Sequence, residues 1–197
     1  RIVAISKYTR NEDIKLFGAD PEKISVIYNG YRNVCQTPPA DLKIAYPYFL
    51  TVGAVKERKN TLRIVQAFGE FKKKNTSPHK LIVVGKTGNP YSQKVQKYIK
   101  ESRLQSDVIF FGHTDDPRLS YLYRHATALV FPSTIESFGF PVLEAMSCGL
   151  PVITSNTGGV AEVAGEAALL VNPESAPEIA AAMSAVATDQ KLRVDLV

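Results

Sequence analysis

Two periods alternate along the chain. Short apolar, largely β-branched runs recur at residues 2–5, 24–28, 49–52, 81–84, 108–111, 128–131, 152–154 and 168–171. Runs of this length without polar interruption predict strands buried on both faces. Between them the apolar residues recur at helical spacing. Leu62, Val65, Phe68 and Phe71 make one stripe; Tyr91, Val95, Tyr98 and Ile99 make another; Leu119, Leu122, Tyr123 and Ala126 make a third. Each stripe predicts a helix with one buried face. Strands alternating with such helices predict an α/β fold with a doubly wound parallel sheet.

One stretch breaks this rhythm. Asn29-Gly30 is a turn signal, and residues 31–47 carry Pro38, Pro39 and Pro47 with little periodicity. A linker is expected there, dividing a strand–helix–strand unit at 1–30 from the main domain at 31–197. The chain opens at Arg1 inside a predicted strand, and its last helical pattern, 176–187 then 191–197, ends without a cap. Both ends read as those of an excised piece.

In sheets of this kind ligands bind beyond the carboxyl ends of the strands, where loops lead into helices. Four such loops are rich in binding groups. Gly53 to Asn60 carries Arg58-Lys59 just before a helix; cations there oppose the helix dipole unless an anion binds. Gly112-His113-Thr114-Asp115-Asp116 follows the fifth run, and Asn156-Thr157-Gly158-Gly159 the seventh. The fourth loop, Glu136-Ser137-Phe138-Gly139-Phe140-Pro141-Val142-Leu143-Glu144, has two glutamates bracketing a helix start. Pro141 suits the first helical turn, and the amides of Gly139, Phe140 and Val142 are expected to form an anion-seeking nest. Cations, free amides and two carboxylates together suit an anionic, hydroxyl-rich ligand such as a nucleoside diphosphate sugar.

Composition narrows the alternatives. A net charge of +5 is moderate; its densest run, Lys72-Lys73-Lys74, suits a helix C-terminus better than a nucleic-acid patch, while contact with anionic lipid stays open. No apolar run approaches a membrane span. Two cysteines, Cys35 and Cys148, give no disulfide framework, which favours a reducing compartment. His79, His113 and His125 lack ligand spacing, so no metal site is expected; His79 is expected in a surface turn, and His113 alone lies at a productive strand end. Gly85-Lys86-Thr87 lacks the upstream glycine of a nucleoside-triphosphate loop, and there is no dinucleotide fingerprint. No serine sits in a nucleophile elbow. Two carboxylates can also serve a glycosidase, but the cations would then be superfluous.

Across nearly its whole length, from Ile24-Ser25-Val26-Ile27-Tyr28-Asn29-Gly30 to Val171-Asn172-Pro173, the chain resembles the retaining glycosyltransferases of the GT-B fold. That group includes bacterial mannosyltransferases and glucosyltransferases, and sucrose and glycogen synthases. The Arg58-Lys59-Asn60 loop is similar to that of mannosyltransferases acting on polysaccharides. The resemblance implies a Rossmann-like donor-binding domain, with residues 1–30 trailing from an absent acceptor-side domain. Arg58 and Lys59 would hold the diphosphate, with Gly53 allowing close approach. Glu144 would take the ribose hydroxyls, and Glu136 would face the donor sugar. Amides near Phe138, Gly139, Phe140 and Val142 would bind sugar and phosphate oxygens, while Thr114 and Asp116 would meet the base. The implied donor is a GDP- or UDP-linked hexose, without a metal. The implied acceptor is a glycan or lipid-linked glycan, and the implied location is the cytoplasm or the cytoplasmic membrane face. Ala54 departs from the pattern, since many relatives carry arginine there. A silent sugar-nucleotide-binding module and a nucleotide-sugar epimerase are the alternatives.

Overall fold

A computed structural model describes residues 1–197. Eight strands form: β1 (Ile2–Ala4), β2 (Ile24–Val26), β3 (Tyr48–Val52), β4 (Lys80–Val84), β5 (Val108–Gly112), β6 (Ala128–Phe131), β7 (Val152–Ser155) and β8 (Leu169–Val171). Each matches one predicted apolar run. The helices are α1 (Lys7–Phe17), α2 (Thr61–Lys74), α3 (Pro90–Glu101), α4 (Asp116–His125), α5 (Phe140–Ser147), α6 (Gly158–Ala164), α7 (Ala176–Thr188) and α8 (Gln190–Asp195).

Strands β3 to β8 make one six-stranded sheet in the order β5-β4-β3-β6-β7-β8, every pairing parallel. Strand order reverses between β3 and β6, and ligands bind at such a switch point in doubly wound sheets. The two faces bury separate cores. Phe49, Ile64, Phe68, Phe71, Leu81, Val83 and Val130 pack on one side with α2, α3 and α7. Leu50, Ile82, Leu122, Tyr123, Leu129, Val142 and Val160 pack on the other with α4, α5 and α6. Alternate residues of one strand thus serve opposite cores, which is why the strands read as unbroken apolar runs.

β1 and β2 pair only with each other, parallel, as a separate two-stranded sheet. This unit is fastened to the larger one by specific bonds. Glu162 on α6 accepts from the backbone amides of Lys7 and Tyr8, each at 2.9 Å, and from the Tyr28 hydroxyl at 2.6 Å. Ser6 caps α1 and donates to the Ser137 carbonyl at 2.8 Å.

The expected linker lacks strands and has one short 3-10 turn, Val34–Gln36. Here the structure corrects the reading of the cysteines: Cys35 and Cys148 are disulfide-bonded, with Cα atoms 5.5 Å apart. Val34 inserts into the core and brings Cys35 against the C-cap of α5. A separation of 113 residues hid this proximity, and the reducing-compartment reading loses its basis. His79 also differs from expectation. It stacks on Phe49 at 5.0 Å between ring centroids and bonds Ser77 and Thr127. Lys72 does sit at the C-terminal end of α2, bonding the Ser77 carbonyl at 2.6 Å. No helix is long and apolar enough to cross a membrane.

Candidate functional site

At the carboxyl end of the sheet two glycine loops meet. Gly53, after β3, has φ 134°, and Gly85, after β4, has φ 146°, conformations that side-chain-bearing residues rarely adopt. A Cβ on Gly85 would fall on the Gly53 carbonyl. Backbone thus packs on backbone there, so Gly85 is needed to shape the loop although Gly85-Lys86-Thr87 is no triphosphate motif.

The loop after Gly53 ends in a 3-10 turn, Glu57–Lys59. Asn60 follows at φ 60°. It holds the N-cap position of α2 but makes no side-chain cap bond there. Its buried amide instead donates to the carbonyls of Pro132, at 2.9 Å, and Pro173, at 2.6 Å. Asn60 therefore ties the loops after β3, β6 and β8 together. That anchorage places Lys59, whose Nζ lies 4.4 Å from the centroid of the Phe131 ring and bonds the Glu136 carboxylate. Arg58 Nη1 is 3.6 Å from the same Glu136 oxygen, on a side chain about half exposed. Burial pulls the Lys59 ammonium below its usual range, and the bond to Glu136 partly restores it. Arg58, Lys59 and Glu136 are thus one ion-paired cluster.

Glu136, in the loop after β6, is held at the carboxyl end of the sheet by α6. Gly159 donates its amide to the Glu136 carbonyl at 2.8 Å, and a Cβ on Gly159 would strike the Ser137 carbonyl. Phe138 is buried against Phe140, with ring centroids 5.3 Å apart. The expected nest forms in part. The amides of Phe138, Gly139 and Phe140 make no intramolecular bond, but Val142 donates its own to the Gly139 carbonyl at 3.0 Å. The Val142 amide is therefore engaged in the first turn of α5, and its side chain belongs to the core.

Gly53, Thr114, Asp116, Phe140 and Glu144 line a cleft of about 770 Å³ together with Arg32, Gly85, Lys86 and His113. Glu144 projects from α5 and accepts from the Tyr123 hydroxyl at 2.9 Å. Burial pushes its carboxyl above the usual range, against the Tyr123 bond and the charge of Arg32. Thr114 Oγ1 is buried without a hydrogen-bond partner. Asp116 is ion-paired with Arg32 at 2.6 Å. The expected residues therefore divide: Glu144, Thr114 and Asp116 share the cleft wall, while Arg58, Lys59 and Glu136 stand beside its Gly53 end, where the Lys59 side chain approaches Gly53. Arg32 and Tyr123 were not anticipated. Tyr123 stood in the predicted helix stripe and read as core, and nothing local marks Arg32. The three histidines lie on different elements, and no cluster of three or more metal-ligating side chains forms.

The profile of the family described as "Glycosyl transferases group 1" matches residues 39–197. The chain is 30% identical over 192 residues to O-antigen chain mannosyltransferase B of Escherichia coli, covering 91% of this chain and 49% of that protein. It is 35% identical over 174 residues to O-antigen chain mannosyltransferase RfbU of Salmonella typhimurium, covering 88% and 47%. The chain thus spans about half the length of these relatives. Among solved structures, sucrose-phosphate synthase of Thermosynechococcus elongatus aligns with TM-score 0.82 and 26% identity over 98% of this chain and 50% of its own. Anabaena HepE, solved in complex with UDP and glucose, shares the fold with TM-score 0.86 and 21% identity over 98% and 55%.

Proposed function

Since the chain belongs to the group 1 glycosyl transferases, we propose that it is the donor-binding half of a retaining enzyme that moves a hexose, of mannose or glucose type, from a nucleoside diphosphate to a glycan or lipid-linked acceptor. The observation that carries this reading is the joining of the Arg58–Lys59–Glu136 cluster to the Glu144 cleft at the switch point of the sheet. A diphosphate needs fixed cations and free amides, a ribose needs an acceptor, and a sugar needs a carboxylate near its anomeric carbon. All of these occur along one cleft edge.

In this reading Glu136 supplies the counter-charge for Lys59 until donor arrives. The diphosphate then takes over Lys59 and Arg58, with the amides of Gly139 and Phe140 as further donors. Glu136 is left facing the sugar, where it opposes the positive charge that develops as the bond from the anomeric carbon to the phosphate oxygen breaks. The acceptor hydroxyl forms the new bond on the same face and gives its proton to the departing phosphate oxygen. Glu144 keeps one oxygen on Tyr123 and offers the other to the ribose. The chemistry assigned to these residues is positional and electrostatic. The names of the mannosyltransferase relatives and the UDP-bound neighbour support a nucleotide-linked hexose as donor.

Residues 1–30 would then be the tail of an acceptor-side domain, consistent with their separate sheet. The enzyme would work in peripheral contact with a membrane face when its acceptor is lipid-linked. The chain alone should bind donor without turning it over. Calorimetry with nucleoside diphosphates tests the reading. Lys59→Ala should weaken binding about tenfold or more, since a bond to a charged group contributes ~1.5–3 kcal/mol. Unchanged affinity would remove the phosphate assignment.

A further inference from the structure

Arg32 reaches the cleft from the segment between β2 and β3. Its Nη1 donates to Asp116 Oδ2 at 2.6 Å, in the first turn of α4. That turn does not need Asp116, because Asp115 already caps it by accepting from the Arg118 amide at 3.1 Å. Nor does the pair do much for stability. Its side chains are 61% and 39% exposed, and such ion pairs contribute only ~0–1 kcal/mol. Beside it Thr114 Oγ1 is buried with its hydrogen bonding unmet, and buried hydroxyls nearly always find a partner. Thr114 Oγ1 is thus free to bond a polar group of a molecule entering this end of the cleft.

We propose that the Arg32–Asp116 pair reads the edge of the donor's base and selects guanine. The inference rests on the donor-binding reading above. A guanidinium has only donors and an ionised carboxylate only acceptors. Beyond their mutual bond, the remaining N–H groups of Arg32 and Oδ1 of Asp116 engage no other side chain. Side by side they offer a donor followed by acceptors. Guanine presents the complement along its Watson–Crick edge: O6 accepts, while N1–H and the N2 amine donate. Uracil has carbonyls on both sides of its one N–H, so its second carbonyl would face the carboxylate. Adenine offers a single donor and a single acceptor and leaves the array incomplete. Thr114 Oγ1 stands ready for a further base or ribose group. Because the pair is partly solvated, discrimination should fall well below the 10⁴-fold or more of buried readers.

The test is calorimetric titration of the 197-residue protein and of Asp116→Asn and Arg32→Ala with GDP, UDP and ADP. The unsubstituted protein should bind GDP at least ~10-fold more tightly than UDP or ADP, as one or two charge-assisted bonds allow. Asp116→Asn, whose amide can donate to the second uracil carbonyl, should cut the GDP-to-UDP ratio to about threefold or less. Arg32→Ala should weaken GDP roughly five- to tenfold and UDP less. A merely structural role would weaken all three nucleotides alike and leave the ratio intact, and that result overturns the proposal. Equal affinity for GDP and UDP in the unsubstituted protein overturns it too, while leaving the donor site standing. Failure to bind any nucleoside diphosphate overturns the donor reading and this inference together.

Discussion

Glu144 holds its carboxylate where burial works against the charge, with the Tyr123 hydroxyl as its hydrogen-bonding compensation within the protein. Its folded pKa is raised above the unfolded one. The folded state therefore holds the proton more tightly, and stability declines as pH rises from the ordinary glutamate range through the raised value. Glu144→Gln removes the desolvated charge yet keeps an oxygen for Tyr123. It should raise the melting temperature at neutral pH while weakening nucleoside diphosphate binding about tenfold, the cost of a lost charge-assisted bond; thermal denaturation and titration of one preparation check both. Loss of stability with unchanged affinity would mark Glu144 as a structural group. Arg58 and Lys59 stood out in the sequence because cations before a helix oppose its dipole, and Glu136 and Glu144 because they bracket a helix start. Arg32 meets Asp116 across 84 residues, and Asn60 bonds carbonyls 72 and 113 residues away. No local pattern carries such contacts.

Elements were read well where periodicity ran long and poorly where it did not. All eight strands coincide with apolar runs, since both faces of a parallel sheet are covered. The seven-residue α6 escaped notice. It is too short to show a stripe, and its Gly158-Gly159 start is set by close packing on the two-glutamate loop. The disulfide between the 31–47 segment and α5 escaped because spacing carries no sign of proximity. Closing so long a loop should stabilise the chain by ~2–4 kcal/mol. Reduction, or Cys148→Ala, should thus lower the melting temperature by about 5–15 °C, as scanning calorimetry can measure; no change would mean the pair adds nothing in solution. Glu162 makes a second link between elements. Burial pushes its carboxyl up, but the Tyr28 hydroxyl and the amides of Lys7 and Tyr8 outweigh that, and the net shift is downward. Its contribution is present above the unfolded glutamate pKa and is lost as pH falls through the folded one. The protection of the α1 amides against hydrogen exchange, relative to their intrinsic rates, should fall in that acid window, and in Glu162→Ala should be low already at neutral pH. An α1 equally protected in the variant would show that other contacts hold it.

At the scale of the molecule, sequence pattern led to a parallel sheet, and the observed strand order adds the switch point between β3 and β6. That crevice turns scattered loop residues into one surface. Gly53 and Gly85 let two loops touch, Asn60 ties two more to the Gly53 loop, and α6 packs against the two-glutamate loop. Another cleft, of about 800 Å³, lies at the opposite end of the sheet among Pro47, His79, Thr127 and Val197. It holds none of the paired acids and cations that the proposal assigns to a nucleoside diphosphate. The central claim is that nucleoside diphosphate binds at the switch point, with its phosphates on Lys59 and Arg58 and its ribose on Glu144. A crystal structure of the protein with GDP tests this most directly. The account predicts diphosphate oxygens within hydrogen-bonding distance of Lys59 Nζ and the Gly139–Phe140 amides, and a ribose hydroxyl on Glu144. Nucleotide seated in the opposite cleft, or lying across the switch point without touching Lys59 or Glu144, would contradict it.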